Sequence, residues 1–162
     1  MNNYCLRRLR YAYSMEDKTV LSIFRSVNYN LPLAELKSYL AKEDAKDFVL
    51  LPDYLLVMFL DGFIQLKRGK RQGELELPQS ERVEKAKAVR LNNNLILNKI
   101  KIALALKSDD LIELLSLADF RISNAELSAF FRKASHRNFR ECGNQLLRNL
   151  LTGITLKYRA KK

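Results

Sequence analysis

Several residue types are scarce in this chain of 162 residues, and each scarcity excludes a class of protein. Three prolines and five glycines are too few for a turn-rich β protein. The only histidine, His136, with one cysteine supplies too few ligands for a zinc site, which takes four from the protein when structural and three when catalytic. Apolar runs such as residues 55–60 are far shorter than the roughly 20 residues of a membrane-spanning helix. We therefore expect no metal, no organic cofactor and no membrane segment.

Catalytic and targeting motifs are also missing. His136 has no nucleophile and orienting group in a known pattern, and no Gly-rich phosphate loop is present. Asp109 and Asp110 open a predicted helix, where carboxylates are stabilised by the helix dipole, so they do not indicate a catalytic pair. The basic N-terminus is not followed by the apolar segment of a secretory signal. We expect a soluble, cytoplasmic, non-enzymatic protein with free cysteines.

A repeat is the clearest feature of the sequence. Residues 2–68 align with residues 93–159 without a gap, at an offset of 91 positions. Most core positions pair apolar with apolar, and the identical residues are spread over the whole alignment. They include Asn2-Asn3 with Asn93-Asn94, Ala34-Glu35-Leu36 with Ala125-Glu126-Leu127, Leu55-Leu56 with Leu146-Leu147, Gly62 with Gly153, and Arg68 with Arg159.

Each copy divides into four predicted helices, because apolar residues recur at spacings of three and four. The predicted ranges are 3–14, 16–27, 32–42 and 52–68 in the first copy, and 94–106, 108–118, 123–133 and 143–159 in the second. Ser108 and Ser123 are predicted N-caps, and Glu126 completes a capping box with Ser123. Gly62 and Gly153 fall inside long apolar helices, which indicates close helix packing.

The predicted organisation is a first helical repeat at 1–68, a charged linker at 69–91 and a second helical repeat at 92–162. The linker mixes charges with Gly and Pro, and its residues 81–91 are compatible with a helix that continues into the second repeat. The fold class is therefore all-α, a tandem duplication of a four-helix, helix-turn-helix-like unit. Because each unit alone would be marginally stable, we expect the copies to bury apolar surface against one another.

Once the two copies are aligned, a family resemblance follows from several segments. They are NNYCLRRLRYAYSMEDKTVLSIF, FLDGFIQLKRG, LADFRISNAELSAFFRK, HRNFREC and LLRNLLTGITLKYR. These segments resemble the YehS family, bacterial proteins made of two copies of a domain of unknown function. The resemblance covers nearly the whole chain, but Leu51-Pro52-Asp53 departs from the Cys-Ser-Asp turn that the family often carries. It implies a duplicated bacterial protein and brings no activity or catalytic residue with it.

Positive charge is the first indication of function. The net charge is +11, and counting Lys and Arg against Asp and Glu gives +2 for residues 1–68, +2 for residues 69–91 and +7 for residues 92–162. A basic field on one side of a protein is typical of nucleic-acid binding. It is also typical of a surface that is basic only for solubility.

Helix-turn-helix-like spacing in the second copy is the next indication. Residues 110–133 read as one helix, a turn and a second helix capped by Ser123. If Leu127, Phe130 and Phe131 are buried, the open face carries three residues suited to groove contacts. The N-terminus of this helix would also suit a phosphate group. Such hairpins also occur in many domains that never bind DNA. The three candidates are Asn124, Ser128 and Arg132.

A basic loop follows this predicted helix. Its candidates for phosphate contacts are Arg132, Lys133, Arg137 and Arg140. Phe139 lies in the same loop and would either stack on a base or anchor the core, as its match to Phe48 suggests. We therefore predict a nucleic-acid-binding protein, with DNA and RNA both open. The alternative is an adaptor that docks an acidic protein or forms a homodimer, and the oligomeric state is open.

Overall fold

Nine α-helices and no strand make up the described residues, 1–70 and 76–159, of the computed structural model. The first copy comprises α1 (Asn2–Ala12), α2 (Asp17–Ser26), α3 (Leu33–Leu40) and α4 (Asp53–Arg68). The linker forms α5 (Gln79–Lys87). The second copy comprises α6 (Asn93–Ala103), α7 (Ser108–Leu117), α8 (Asn124–Ala129) and α9 (Asn144–Arg159). The all-α, duplicated fold is confirmed, and the helix order is the same in both copies.

The two copies are joined by a crossed pairing of their helices. Helix α1 packs mainly against α9 of the other copy, and α4 packs mainly against α6. Within each copy, α2 packs against α4 and α7 packs against α9. One apolar cluster runs through both copies and includes the fully buried Phe24, Phe59 and Phe63 together with Leu97 and Ile100. The expectation that the copies bury apolar surface against one another is therefore confirmed.

An asparagine in the first helix of each copy holds the chain that leads into the last helix. The Asn3 amide nitrogen donates to the carbonyls of Tyr39 and Val49 at 3.0 and 2.9 Å, and its amide oxygen accepts from the Leu51 N–H at 2.9 Å. Asn94 makes the same three bonds to the residues 91 positions further along. We call each set of three bonds an asparagine clamp, and the clamps give the two copies matching loops.

The asparagine clamp also explains why α8 is shorter than predicted. The predicted helix 123–133 ends at Ala129, because the Phe130 carbonyl accepts from Asn94 and the Ala129 carbonyl accepts from the Arg140 N–H at 3.1 Å. These carbonyls are therefore not available to a further helical turn. Leu127 and Phe130 are buried as expected.

The N-cap predicted at Ser108 and the predicted continuation of the linker helix are also wrong, and the remaining predicted helix bounds differ from the observed ones by at most three residues. Ser108 is the first residue of α7, and Lys107 takes the N-cap position, with its N–H donating to the Asp110 carboxylate at 2.8 Å. The predicted helix at 81–91 does not continue into the second repeat. It ends at Lys87, and the Asn92 side chain caps the separate helix α6 by accepting from the Leu95 N–H.

Gly62 and Gly153 lie where helices touch backbone to backbone, as their recurrence predicted. A Cβ atom at Gly62 would overlap the carbonyl of Ile23 in α2, and one at Gly153 would overlap the carbonyl of Leu114 in α7. Since the overlapping atoms belong to the backbone, they cannot turn aside as a flexible side chain would. These two glycines set the distance between the last helix and the second helix of each copy.

Two further predictions concern the chain as a whole. Among the described residues, none of the helices combines the length and apolar character that crossing a membrane requires. The predicted linker 69–91 includes residues 71–75, and the predicted second repeat 92–162 includes residues 160–162. Both short stretches lie outside the described residues. The division at these boundaries stays a prediction.

Candidate nucleic-acid interface

The predicted recognition face of α8 is not assembled as the sequence suggested. Asn124 and Ser128 are exposed on α8, and the Ser128 hydroxyl donates to the Ala125 carbonyl of its own helix at 3.0 Å. Arg132 lies beyond the end of the helix, so it does not share a helical face with them. With six residues, α8 is about 9 Å long. It offers little length for reading base edges in a groove.

The N-terminus of α8 is already occupied by its own capping box. The Ser123 hydroxyl accepts from the Glu126 N–H at 3.1 Å, and the Glu126 carboxylate accepts from the Ser123 N–H at 3.2 Å. The predicted capping box is thus confirmed. The phosphate site predicted at the same place stays a prediction that the capping box disfavours, because the Glu126 carboxylate takes one free N–H and would repel a second anion.

The basic loop between α8 and α9 presents most of its charge to solvent. Lys133, Arg137 and Arg140 are exposed, and Arg132 is half-buried with a guanidinium nitrogen 3.5 Å from the Asn138 carbonyl. That distance is at the outer limit of a hydrogen bond, so Arg132 is only loosely held. We refer to these four basic residues as the basic loop. Their exposure suits contacts with phosphate groups.

Phe139 and His136 belong to the same loop but have different environments. Phe139 is half-buried and lies outside the apolar core, so its reading as a core anchor is wrong. His136 accepts from the Asn138 N–H through its Nδ1 at 3.0 Å, which fixes the loop's turn. Across residues 1–70 and 76–159, no three His, Cys, Asp or Glu side chains lie close enough together to hold a metal ion.

The two thiols are unsuited to nucleophilic chemistry. Burial raises the pKa of Cys5 from 9.0 to about 12 and the pKa of Cys142 from 9.0 to about 11. Both side chains therefore stay protonated at neutral pH, whereas a thiolate is the reactive form. Both cysteines pack in the apolar core as small hydrophobic residues.

A second basic surface, which the sequence reasoning missed, lies where α1 packs beside α9. The Arg8 guanidinium carbon is 5.8 Å from the centre of the Tyr4 ring and 6.0 Å from that of Tyr11. Those of Arg148 and Arg159 in α9 are 5.6 Å from Tyr4 and 3.7 Å from Tyr11, respectively. Arginines and tyrosines thus alternate across the junction of the two copies. We call these five residues the Arg-Tyr face.

No acidic side chain belongs to either helix of the Arg-Tyr face. Helices α1 and α9 each carry three basic residues and no Asp or Glu. Arg10 of α1 pairs with Asp17 of α2 at 3.3 Å, and Arg10 is not one of the five residues of the Arg-Tyr face. The absence of Asp and Glu from these two helices can be read from the sequence. A charge count for each copy does not reveal this surface, because it takes one helix from each copy.

Comparison with known proteins adds relatives but no activity. A family model described as "Protein of unknown function (DUF1456)" matches the chain twice, at residues 2–69 and 93–160. The "Uncharacterized protein YehS" of Escherichia coli (strain K12) is 36% identical to it over 162 residues, covering 100% of this chain and 99% of that protein. No solved structure matches the chain.

Proposed function

Because the chain belongs to the family described as "Protein of unknown function (DUF1456)", whose description names no activity, we propose a function from the geometry alone: non-enzymatic binding of nucleic acid. The Arg-Tyr face and the basic loop would contact the phosphate backbone. The carrying observation is that two adjacent helices from different copies hold six basic residues and no acidic residue. Such a pair of helices attracts a polyanion and carries no carboxylate of its own that would repel it.

The arginines of the Arg-Tyr face support this proposal through their geometry. A guanidinium group that packs over an aromatic ring is held in place by a cation-π contact. Its N–H donors remain directed along its plane, where they match phosphate oxygens in pairs. Arg148 is exposed and packs over Tyr4, so it has the position and the freedom for such a contact.

The test is fluorescence anisotropy of the full chain with short labelled DNA and RNA, as duplexes and single strands, over a salt series. We expect binding that weakens as salt rises, since displaced counterions drive the association. Two variants would report on the two surfaces: Arg8→Gln with Arg148→Gln on the Arg-Tyr face, and Lys133→Gln, Arg137→Gln and Arg140→Gln in the basic loop. On duplex DNA, removing one basic side chain that neutralises a phosphate should flatten the log-log salt slope by up to about 0.9.

A matched control removes the same charge elsewhere. Lys18, Lys37 and Lys46 are exposed in the first copy and belong to neither α1 nor α9. Changing all three to Gln should lower affinity only slightly at low salt. If wild type binds no nucleic acid at low salt, the proposal is wrong, and an acidic protein remains as the partner. If the control and the loop variant weaken binding equally, the basic loop is not part of the interface.

A further inference from the structure

The duplication supplies an internal comparison for the Arg-Tyr face. Helix α1 pairs with α9 as α6 pairs with α4, so the chain contains two equivalent grooves. One lies between α1 and α9, which we call the open groove, and the other lies between α4 and α6. At the positions equivalent to Tyr4, Arg8 and Tyr11, the α6 helix carries Leu95, Lys99 and Ile102. There, Lys99 is neutralised by Asp61 of α4 at 2.6 Å. Tyr4 and Tyr11 therefore have no aromatic counterpart in the other groove, whereas Arg159 has a counterpart in Arg68, which lines a pocket with Lys99 and Ile102.

The two grooves also differ in what covers them. Linker helix α5 packs against α4 on the side that carries Val57, Met58 and Asp61. Val57 and Met58 are consequently buried, at 1% and 3% exposure. The corresponding side of α9 carries Arg148, Asn149 and Thr152. In the described residues α9 packs against α7, α1 and α6, and no helix takes the place that α5 takes on α4.

A helix docked in the manner of α5 does not suit the open groove. Ala86 of α5 lies beside the apolar residues Val57 and Met58 of α4, and Val83 of α5 packs against the apolar core. The open groove offers the charge of Arg148 at the equivalent position, beside the ring of Tyr4. An occupant must therefore satisfy guanidinium groups and pack on aromatic rings at the same time. Phosphate groups alternating with unpaired bases meet both requirements.

We infer that the Arg-Tyr face is a binding site for single-stranded nucleic acid, an inference that rests on the proposed function. Phosphates meet Arg8 and Arg148, and bases stack on the rings of Tyr4 and Tyr11, of which Tyr11 is 46% exposed. A duplex offers its phosphates but keeps its bases stacked inside, so it would gain nothing from the rings. Arg159 has a positioning role, because its guanidinium packs on Tyr11 and donates to the Tyr11 carbonyl at 2.8 Å.

The test compares labelled single strands, oligo-dT and oligo-rU, with a DNA duplex and an RNA duplex. Tyr4→Leu with Tyr11→Leu removes both rings, whereas Tyr4→Phe with Tyr11→Phe keeps them. The control is Ile102→Ala, at the position equivalent to Tyr11 in the groove between α4 and α6, where Ile102 is 44% exposed. We expect the Leu variant to bind both single strands at least about fivefold more weakly for each ring removed. Its affinity for the duplexes should be unchanged. The Phe and Ile102→Ala variants should bind single strands as wild type does.

The outcomes separate this inference from the function on which it rests. If duplexes and single strands bind equally and the Leu variant matches wild type, the inference is wrong and the proposed function stands. If nothing binds, both are wrong. A preference for oligo-rU or oligo-dT alone supports the site and shows that it distinguishes the two strands, which differ in the 2′-hydroxyl and in the thymine methyl group. Should the Leu variant fail to fold, Arg148→Gln serves instead, since Arg148 is exposed. It should weaken single-strand binding more than Lys37→Gln does, and an equal effect would overturn the inference.

Discussion

Replacing Asn3 by alanine should destabilise the protein more than replacing Asn94, although both side chains make the same three hydrogen bonds. Asn3 is 4% exposed, and its bonds to the Tyr39 carbonyl and the Leu51 N–H are buried. Asn94 is half-buried, and none of its three bonds is fully buried. The two asparagine clamps thus make equivalent hydrogen bonds and differ chiefly in how exposed those bonds are to water.

The magnitudes follow from that difference. A buried polar group left without a partner costs about 1–3 kcal/mol, so the two buried bonds of Asn3 and its third, part-buried bond together predict a loss of about 3 kcal/mol. Around Asn94, water can replace the missing partners. Each of those bonds then contributes about 0.5 kcal/mol, the low end of the net range, and the expected loss is about 1.5 kcal/mol. Both losses are below the total stability of about 5–15 kcal/mol that domains have, so both variants should fold.

Urea unfolding followed by circular dichroism measures both losses. The dependence on urea should keep its slope, so that the midpoint alone reports stability. Asn98→Ala, which lies in α6 but outside the asparagine clamp, is the control and should change stability by no more than about 0.5 kcal/mol. Equal losses at Asn3 and Asn94, or a larger loss at Asn94, would refute the argument from burial.

Further predictions concern packing, the junction of the copies and the thiols. Gly153→Ala should lower the free energy of unfolding by about 1–3 kcal/mol through overpacking against α7, while Gly143→Ala, which has open space, should be nearly neutral. Thermal melts showing equal effects would contradict this. Arg159→Ala should lower the free energy of unfolding by about 1–2 kcal/mol, measured with urea. Arg159→Lys should not restore this stability, because lysine has no planar group to stack on the Tyr11 ring. Because the folded state raises the pKa values of Cys5 and Cys142, stability should fall as pH rises above 9.0. Cys5→Ala should flatten that fall in alkaline melts, and an unchanged slope would exclude this cause.

The helix order could be predicted from the sequence because the two copies show the same pattern of apolar residues, and each copy supports the helices predicted for the other. Gly62 and Gly153 recur at equivalent positions, and this alone indicated the close approach that the structure shows. The end of α8 could not be predicted from the local sequence, since it depends on Asn94. This residue lies 36 positions before Phe130, whose carbonyl it binds. Local propensity contains no information about such a distant partner, and the apolar residues up to Phe131 favoured a longer helix.

The candidate site was predicted less well than the fold, for a related reason. Amphipathic patterns show that a helix has an apolar face, but they do not show which other helix covers it. The sequence therefore located exposed charges such as Lys133 and Arg137 within one copy. It did not show that Arg8 and Arg148 lie on one surface, because that depends on the packing of α1 against α9.

The crossed pairing of helices bears on how such a protein arises. A chain with one copy of the unit would leave its first and fourth helices half uncovered, and it would complete its core by pairing with a second, identical chain. In that symmetric ancestor the two grooves would be identical, so any substitution would appear in both. Fusion of the genes releases this constraint. One groove can then be closed by the linker between the copies, while the other is free to change its chemistry independently.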